Sequence, residues 1–240
     1  ELAVVLSYSK IWLNDQLIHS DVPEDPYLSK ELERYFPAPI RRRYAHSLTH
    51  HRLRREIIAT ATTNSLVNRM GPVFALRVRE DTGADTSRIA RAYTIAREVF
   101  EMRDLWSGVE ALDNRVPARV QYAMMYQTSR LLRHMTYWFL THHPNRLNID
   151  KAVLRFAPGI ARLGRSLDRL LLGSERKRFH DAAAALRSSG VPEVIAARIA
   201  GLAPMHAAPD IVEVAQAARR DEVFTGRAYF HLCERLSLDW

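Results

Sequence analysis

Apolar residues recur three and four positions apart along almost the whole chain, and clusters of turn-forming residues interrupt that spacing at intervals. At the start, Leu2, Val5, Leu6, Ser9, Leu13 and Leu17 mark one helical face, while Val4, Tyr8 and Ile11 mark another. The first helix is therefore expected to be buried on two faces. Asp21-Val22-Pro23-Glu24-Asp25-Pro26 stops it, because proline removes a donor and pushes the preceding residue out of the helical region. Pro26 is expected to open a short helix through Phe36, which Pro37 and Pro39 end.

A basic helix follows from about Ile40, and then a long one from His51 to Gly71 whose polar residues recur where a helix is usually apolar. Arg52, Glu56, Thr60, Thr63 or Asn64, and Val67 or Asn68 fall three or four apart, sharing the helix with Ile57, Ile58, Ala61 and Leu66. A further helix runs from Pro72 to about Asp81 and ends at Gly83; Asp85 or Thr86 caps the next, with the stripe Ile89, Ala92, Tyr93, Ala96, Val99 and Phe100. A short helix carries Leu105, Trp106, Val109 and Leu112, and a long one places Met124, Thr128, Leu131, Met135 and Trp138 as bundle core.

His143-Pro144-Asn145 marks a subdomain boundary in this pattern, giving expected subdomains of 1–143 and 144–240. Beyond it, Ile149 to Leu172 buries Val153, Ala157, Ile160, Leu163, Leu167 and Leu171, with a bend expected at Pro158. Helices over Ser174–Ser188, Pro192–Leu202, Asp210–Arg219 and Glu222 to the end complete the series. No Asn-Gly or Asp-Gly hairpin and no sustained alternation occurs, so the fold class is all-α, a bundle of about ten or more helices.

Composition changes this picture little. The chain has 240 residues, 47% hydrophobic and 26% charged, the ordinary globular balance. Lys10, Asp15, Glu56, Arg69, Arg130 and Arg133 interrupt the best apolar runs, leaving no membrane span. The N-terminal residues lack the basic start and small-residue cleavage site of a signal peptide. Glu1 in place of an initiator Met and Trp240 without a cap or polar tail suggest a piece of a longer chain. Cys233 is the single cysteine, which suits a reducing cytoplasm and a small core hydrophobe.

The formal charge of +8 and the isoelectric point of about 9.9 invite a nucleic-acid partner. That excess is spread over both halves, however, and only Lys10, Lys30, Lys151 and Lys177 are lysines, which disfavours a dedicated basic arm.

The chemistry motifs are sparse. Nine glycines form neither G-x-G-x-x-G nor G-x-x-x-x-G-K-[ST], so no nucleotide-binding loop is expected within the chain. No G-x-S-x-G turn presents a nucleophile. His46 and His50 have the spacing that places two imidazoles on one helical face, but no third ligand accompanies them, and metal binding is not expected. Glu24-Asp25 and Glu80-Asp81 are adjacent carboxylates in turns, expected to diverge into solvent. His142 and His143 are placed to favour a helix C-terminus. Lys151, Arg155, Arg162, Arg165 and Arg169 lie in one narrow stripe at about 100° per residue, opposite the apolar face. Such a stripe can grip an anionic partner or remain a solvated helix face.

Several segments, in order, resemble the large multidomain bacterial NAD-specific glutamate dehydrogenases. They are ELAVVLSYSKIWL, SDVPEDPYL with ELERYFP, HRLRREIIAT with LVNRMG, ARAYTIAREVF, ALDNRVPA and ERLSLDW; coverage is dense to about Asn145 and sparser afterward. The resemblance implies a helical region following the dinucleotide-binding catalytic domain, with the full protein continuing beyond Trp240. It implies oxidative deamination of L-glutamate to 2-oxoglutarate and ammonium with NAD as cofactor of the full protein. It places the catalytic lysine and aspartate upstream, so this piece by itself is expected to hold no cofactor and to be inactive.

Three roles remain open. In the first, the region packs on the catalytic domain or on other subunits of a homo-oligomer, with Arg52, Glu56, Asn64, Asn68 and Arg69 as the contact. Asn64 and Asn68 could instead secure neighbouring loops. In the second, the arginine stripes bind a small anionic effector; in the third, the module binds nucleic acid.

Overall fold

The computed structural model describes residues 1–145 and 147–236, and the side chain of Leu2 is not among those described. Thirteen α-helices and two short 3₁₀ turns occur among the described residues, with no strand. None of these helices is long and apolar enough to cross a membrane. They are α1 (Leu2–Ile18), α2 (Ser29–Tyr35), α3 (Ala38–Thr49), α4 (Arg54–Met70), α5 (Phe74–Thr82), α6 (Thr86–Val99) and α7 (Met102–Glu110). The remainder are α8 (Ala118–His142), α9 (Ile149–Leu170), α10 (Gly173–Ser188), α11 (Glu193–Ala200), α12 (Ala208–Ala218) and α13 (Glu222–Leu236). The expected course of the last helix to Trp240 lies outside the described residues.

The chain forms two compact units, the first of residues 1–94 and 136–150, the second of residues 95–135 and from 151 onward. The expected boundary at 143/144 falls within the first unit.

In the first unit α4 is the central helix, with α1, α2 and α5 packed on it. Leu13 and Leu17 of α1, Leu28 and Leu32, and Ile58, Ala59 and Leu66 of α4 are all buried. Two sequence expectations fail at the N-terminus. Burial on α1 is confined to Leu13 and Leu17 near its end: Val4, Tyr8 and Ile11 of one expected face remain 55%, 69% and 66% exposed, and Val5 of the other 44%. Helical spacing identifies an apolar face but not whether the same chain supplies its cover. Pro26 does not open a helix either, since α2 begins at Ser29. Asp25 arranges the intervening turn, its Oδ1 accepting the Tyr27 amide at 3.0 Å while the Ser29 hydroxyl donates to the Pro26 carbonyl at 2.6 Å. The helix α3 is interrupted at Tyr44, whose φ of −123° and ψ of 24° are not helical.

The start of α6 shows a clean cap, as the spacing predicts. Asp85 Oδ1 accepts the Arg88 amide at 2.8 Å and the Ser87 hydroxyl at 2.7 Å. Along α6 the expected apolar stripe is buried, but so are Arg91, Thr94 and Arg97, the two arginines at 2% exposure each. Composition hides this, because charged residues are seldom fully buried unless paired.

In the second unit the α8 positions Met124, Thr128, Leu131 and Met135 are buried as their spacing predicts. Trp106 of α7 donates its indole N–H to Thr128 Oγ1 at 3.0 Å, which satisfies the polar edge of a buried ring. Phe156, Ile160, Leu163 and Leu167 form the inner face of α9, which continues as helix through Pro158. Gly226 of α13 allows a close approach there: a Cβ at that position would stand 2.8 Å from Leu163 Cδ2. Cys233 is buried on the same helix.

Candidate functional site

In the first unit, polar chemistry converges on the turn between α1 and α2. Glu24 accepts from Arg54 Nη1 at 2.7 Å and from Arg55 Nη1 at 2.6 Å, and Arg55 also donates to the carbonyls of Ile18 and Ser20. Buried Arg91 donates from Nε to Asp25 Oδ2 at 3.1 Å, and its Nη2 lies 2.8 Å from Asp21 Oδ1 without hydrogen-bond alignment. Glu24 and Asp25 do diverge, but both are held by arginines and are not simply solvated carboxylates. The hydrogen bond from Arg54, reinforced by the charges of both arginines, keeps the Glu24 carboxyl below its ordinary value against the opposing effect of burial. This cluster neutralises itself and belongs to the architecture of the unit.

Arg52 sits in the turn before α4, so it is not in helical register with the other residues of the expected contact. Glu56 and Asn68 are exposed, Asn64 is half-buried, and Arg69 is half-buried and engaged with a neighbour. Neither the Asn64 nor the Asn68 amide hydrogen-bonds to another described residue. The buried hydroxyls of α4 are those of Thr62, which donates to the Ile58 carbonyl at 2.8 Å, and Thr63, which has no hydrogen-bond partner among the described residues; the half-buried Ser65 meets the Tyr93 hydroxyl at 3.1 Å.

The five basic residues on α9 remain on one exposed face, yet they are not equivalent. Arg155 pairs with Glu213 at 2.9 Å and with Gln216 Oε1 at 2.8 Å. Arg162 makes a two-pronged contact with Glu222 at 2.6 and 3.1 Å, which raises its already high pKa. These two fasten α9 to α12 and to the start of α13. Arg165 and Arg169 have no ion-pair partner among the described residues, and Lys151 is exposed and engaged.

His46 and His50 are exposed with ring centroids 5.2 Å apart, and no group of three ligating side chains occurs among the described residues. His142 stacks on Trp138 at 4.5 Å with its Nδ1 directed to the Trp138 carbonyl, the helix-terminal position expected for it.

A pocket with polar groups at its rim lies in the second unit, where sequence reading placed no site. It has a volume of about 470 Å³ and opens between α8, α10, α11 and the 3₁₀ turn Pro204–Ala207. Met124, Phe179, Leu186 and Ile199 supply its apolar lining, and Ala123, Ala182, Ala185, Ala200 and Ala203 keep it open. Its polar groups are Gln127, Arg130, Glu175, Arg178 and His206. The His206 ring is stacked on His134 with centroids 4.7 Å apart and planes 13° from parallel. Burial first, then the positive fields of His134 and Arg130, push the His206 imidazole down to about 4, so it is neutral at physiological pH. A second pocket of about 450 Å³ is lined by Phe100, Ile160, Gly164, Arg165, Phe179 and Arg198, among others. There Arg198 donates to the carbonyls of Phe100 and Glu101 at 3.4 and 3.2 Å, in the turn between α6 and α7.

Two signals in the sequence bear on the first pocket. The 25 residues of α8 contain no carboxylate, and α10 carries the run Ala182 to Ala185. Neither indicates that the two helices face one another.

A family model described as "Glutamate dehydrogenase, C-terminal" matches residues 1–240. The NAD-specific glutamate dehydrogenase of Halomonas elongata is 40% identical over 240 residues, and that of Pseudomonas aeruginosa 38% over 240. The enzyme of the same name from Mycobacterium tuberculosis is 28% identical over 239 residues. All of this chain is covered in each comparison, but it spans only 15% of the length of each relative. A match that runs from the first residue to the last, over an all-helical chain, shows that it belongs to the glutamate dehydrogenase C-terminal family.

Proposed function

We propose that this chain is the non-catalytic C-terminal helical domain of an NAD-dependent glutamate dehydrogenase. The whole enzyme oxidatively deaminates L-glutamate to 2-oxoglutarate and ammonium, with hydride passing to NAD, and works in the cytoplasm. The observation that carries this reading is the family match along the entire chain, set beside its 15% share of each relative named for the activity. Nucleotide binding and catalysis belong to the remainder of such a protein.

The role of the domain itself is to pack on the catalytic domain of the same polypeptide or on another subunit. Arg52, Glu56, Asn64, Asn68 and Arg69 are the proposed contact. Two features support it. The Asn64 and Asn68 amides have no partner among the described residues, and an amide covered at an interface needs one. The nearby helix α1 also presents Val4, Tyr8 and Ile11 to solvent, an apolar stripe at helical spacing.

Two measurements test the reading. The isolated 240-residue chain, supplied with L-glutamate and NAD, should form no NADH; measurable turnover would overturn the non-catalytic assignment. In the full-length enzyme, Asn68→Ala should weaken subunit assembly or activity, read by light scattering and initial rates. A variant that assembles and turns over normally, with only a lower melting temperature, would sink the proposed contact.

A further inference from the structure

We propose that the pocket between α8, α10 and α11 binds a small amphipathic carboxylate, an aliphatic or aromatic body of about ten heavy atoms that ends in a single carboxylate. Its volume of about 470 Å³ falls in the range of small-ligand sites, and its inner surface is predominantly apolar. Met124, Phe179 and Leu186 offer flat and flexible contact surface to such a body. The alanines of α10 face it with side chains too short to fill the space, which leaves room that a ligand can occupy.

The polar end of the ligand follows from charge. Arg130 stands on a helix that has three arginines and no carboxylate over 25 residues. Its guanidinium donates to the Gln127 amide oxygen at a long 3.4 Å and has no ion-pair partner among the described residues. Arg178 adds a second positive group, and Glu175 is the acid among the lining residues; both are already engaged with neighbours. Arg130 is therefore the group available to fork onto a planar carboxylate, with Gln127 beside it as a donor through its amide nitrogen. His206, held neutral by burial, His134 and Arg130, reports the same local positive field. A carboxylate seated on Arg130 relieves that field. One available guanidinium suits one negative charge, which favours a monocarboxylate over a polyphosphate.

Calorimetric titration of the full-length polypeptide that carries this chain tests the proposal, with 4-phenylbutyrate and octanoate as probes and 4-phenylbutanol and 4-phenylbutylamine as controls. The carboxylates should bind at least tenfold more tightly than the alcohol, and the amine should not bind. Arg130→Gln should remove that preference while leaving alcohol binding unchanged. Ala182→Phe, a substitution at an exposed helical position, should abolish both by filling the pocket. In NMR titrations the His206 midpoint should rise when a carboxylate is bound and stay unmoved with the alcohol. Equal binding of acid and alcohol, no heat from either carboxylate, or full affinity in Arg130→Gln would each overturn it. These outcomes are independent of whether the parent polypeptide oxidises glutamate.

Discussion

In the first unit a five-residue turn, Asp21 to Asp25, draws arginines from α4 and α6; in the second, α9 and α13 meet where Gly226 carries no side chain. The first arrangement buries one ion pair, Arg91 with Asp25, while Asp21 and Glu24 stay about half exposed. The second depends on shape, and the arginines of its ion pairs, Arg155 with Glu213 and Arg162 with Glu222, are 42% and 44% exposed. Both units are rich in arginine, so composition does not separate them. The difference teaches that an arginine's energetic role is set by what covers it. Arg91 and Arg162 are equally charged, but solvent screens only the second.

The largest expected effect breaks the charged arrangement. Arg91→Ala leaves Asp25, with only 12% of its side chain exposed, facing no cation, and should cost about 3–5 kcal/mol in chemical denaturation. Gly226→Ala challenges the second arrangement by driving a methyl group to 2.8 Å from Leu163 Cδ2. It should cost about 1–3 kcal/mol by the same measurement, since overpacking forces side chains off their preferred rotamers.

Acid separates the units by pH window. His206 takes up a proton near 6.5 when unfolded but only near 4 when folded, so the second unit should lose stability as pH falls through that interval. His206→Gln should flatten the melting-temperature profile there. Glu24 loses stability in the same direction but at lower pH: its folded carboxyl is held below the ordinary 4.5, so its contribution is complete above 4.5 and is lost as pH falls below it. Glu24→Gln should therefore alter the profile only at the acid end. The smallest effect belongs to Arg155→Ala, about 0–1 kcal/mol, because both side chains of its pair with Glu213 are partly exposed and screened by solvent.

Most helices were legible from spacing alone. Met124, Thr128, Leu131, Met135 and Trp138 are buried along α8, and α10 to α12 begin and end within two residues of their expected bounds. Local rules fix such features: apolar period, caps and proline breaks act within a few residues. Legibility failed where the answer depended on a distant partner. The second face of α1 reads as buried because it is apolar, but no described element lies over it. Nothing in the spacing marks Arg91 and Arg97 as interior, yet they are buried. The stripe on α9 reads as one surface, though Glu213 and Glu222, more than fifty residues away, hold two of its members. The pocket of Arg130 and His206 was invisible because its walls lie on α8, α10 and α11, and no periodicity within a helix states which helices will face each other.

The sequence by itself therefore determined an all-helical chain, the place and inner face of nearly every helix, and resemblance to a family of dehydrogenases. Tertiary structure decided which charges are buried, which arginines already have partners, and where alanines leave a cavity. The physical reason is range. Helix formation is governed by contacts three and four residues apart, whereas burial, ion pairing and pocket shape arise from groups that folding alone brings together.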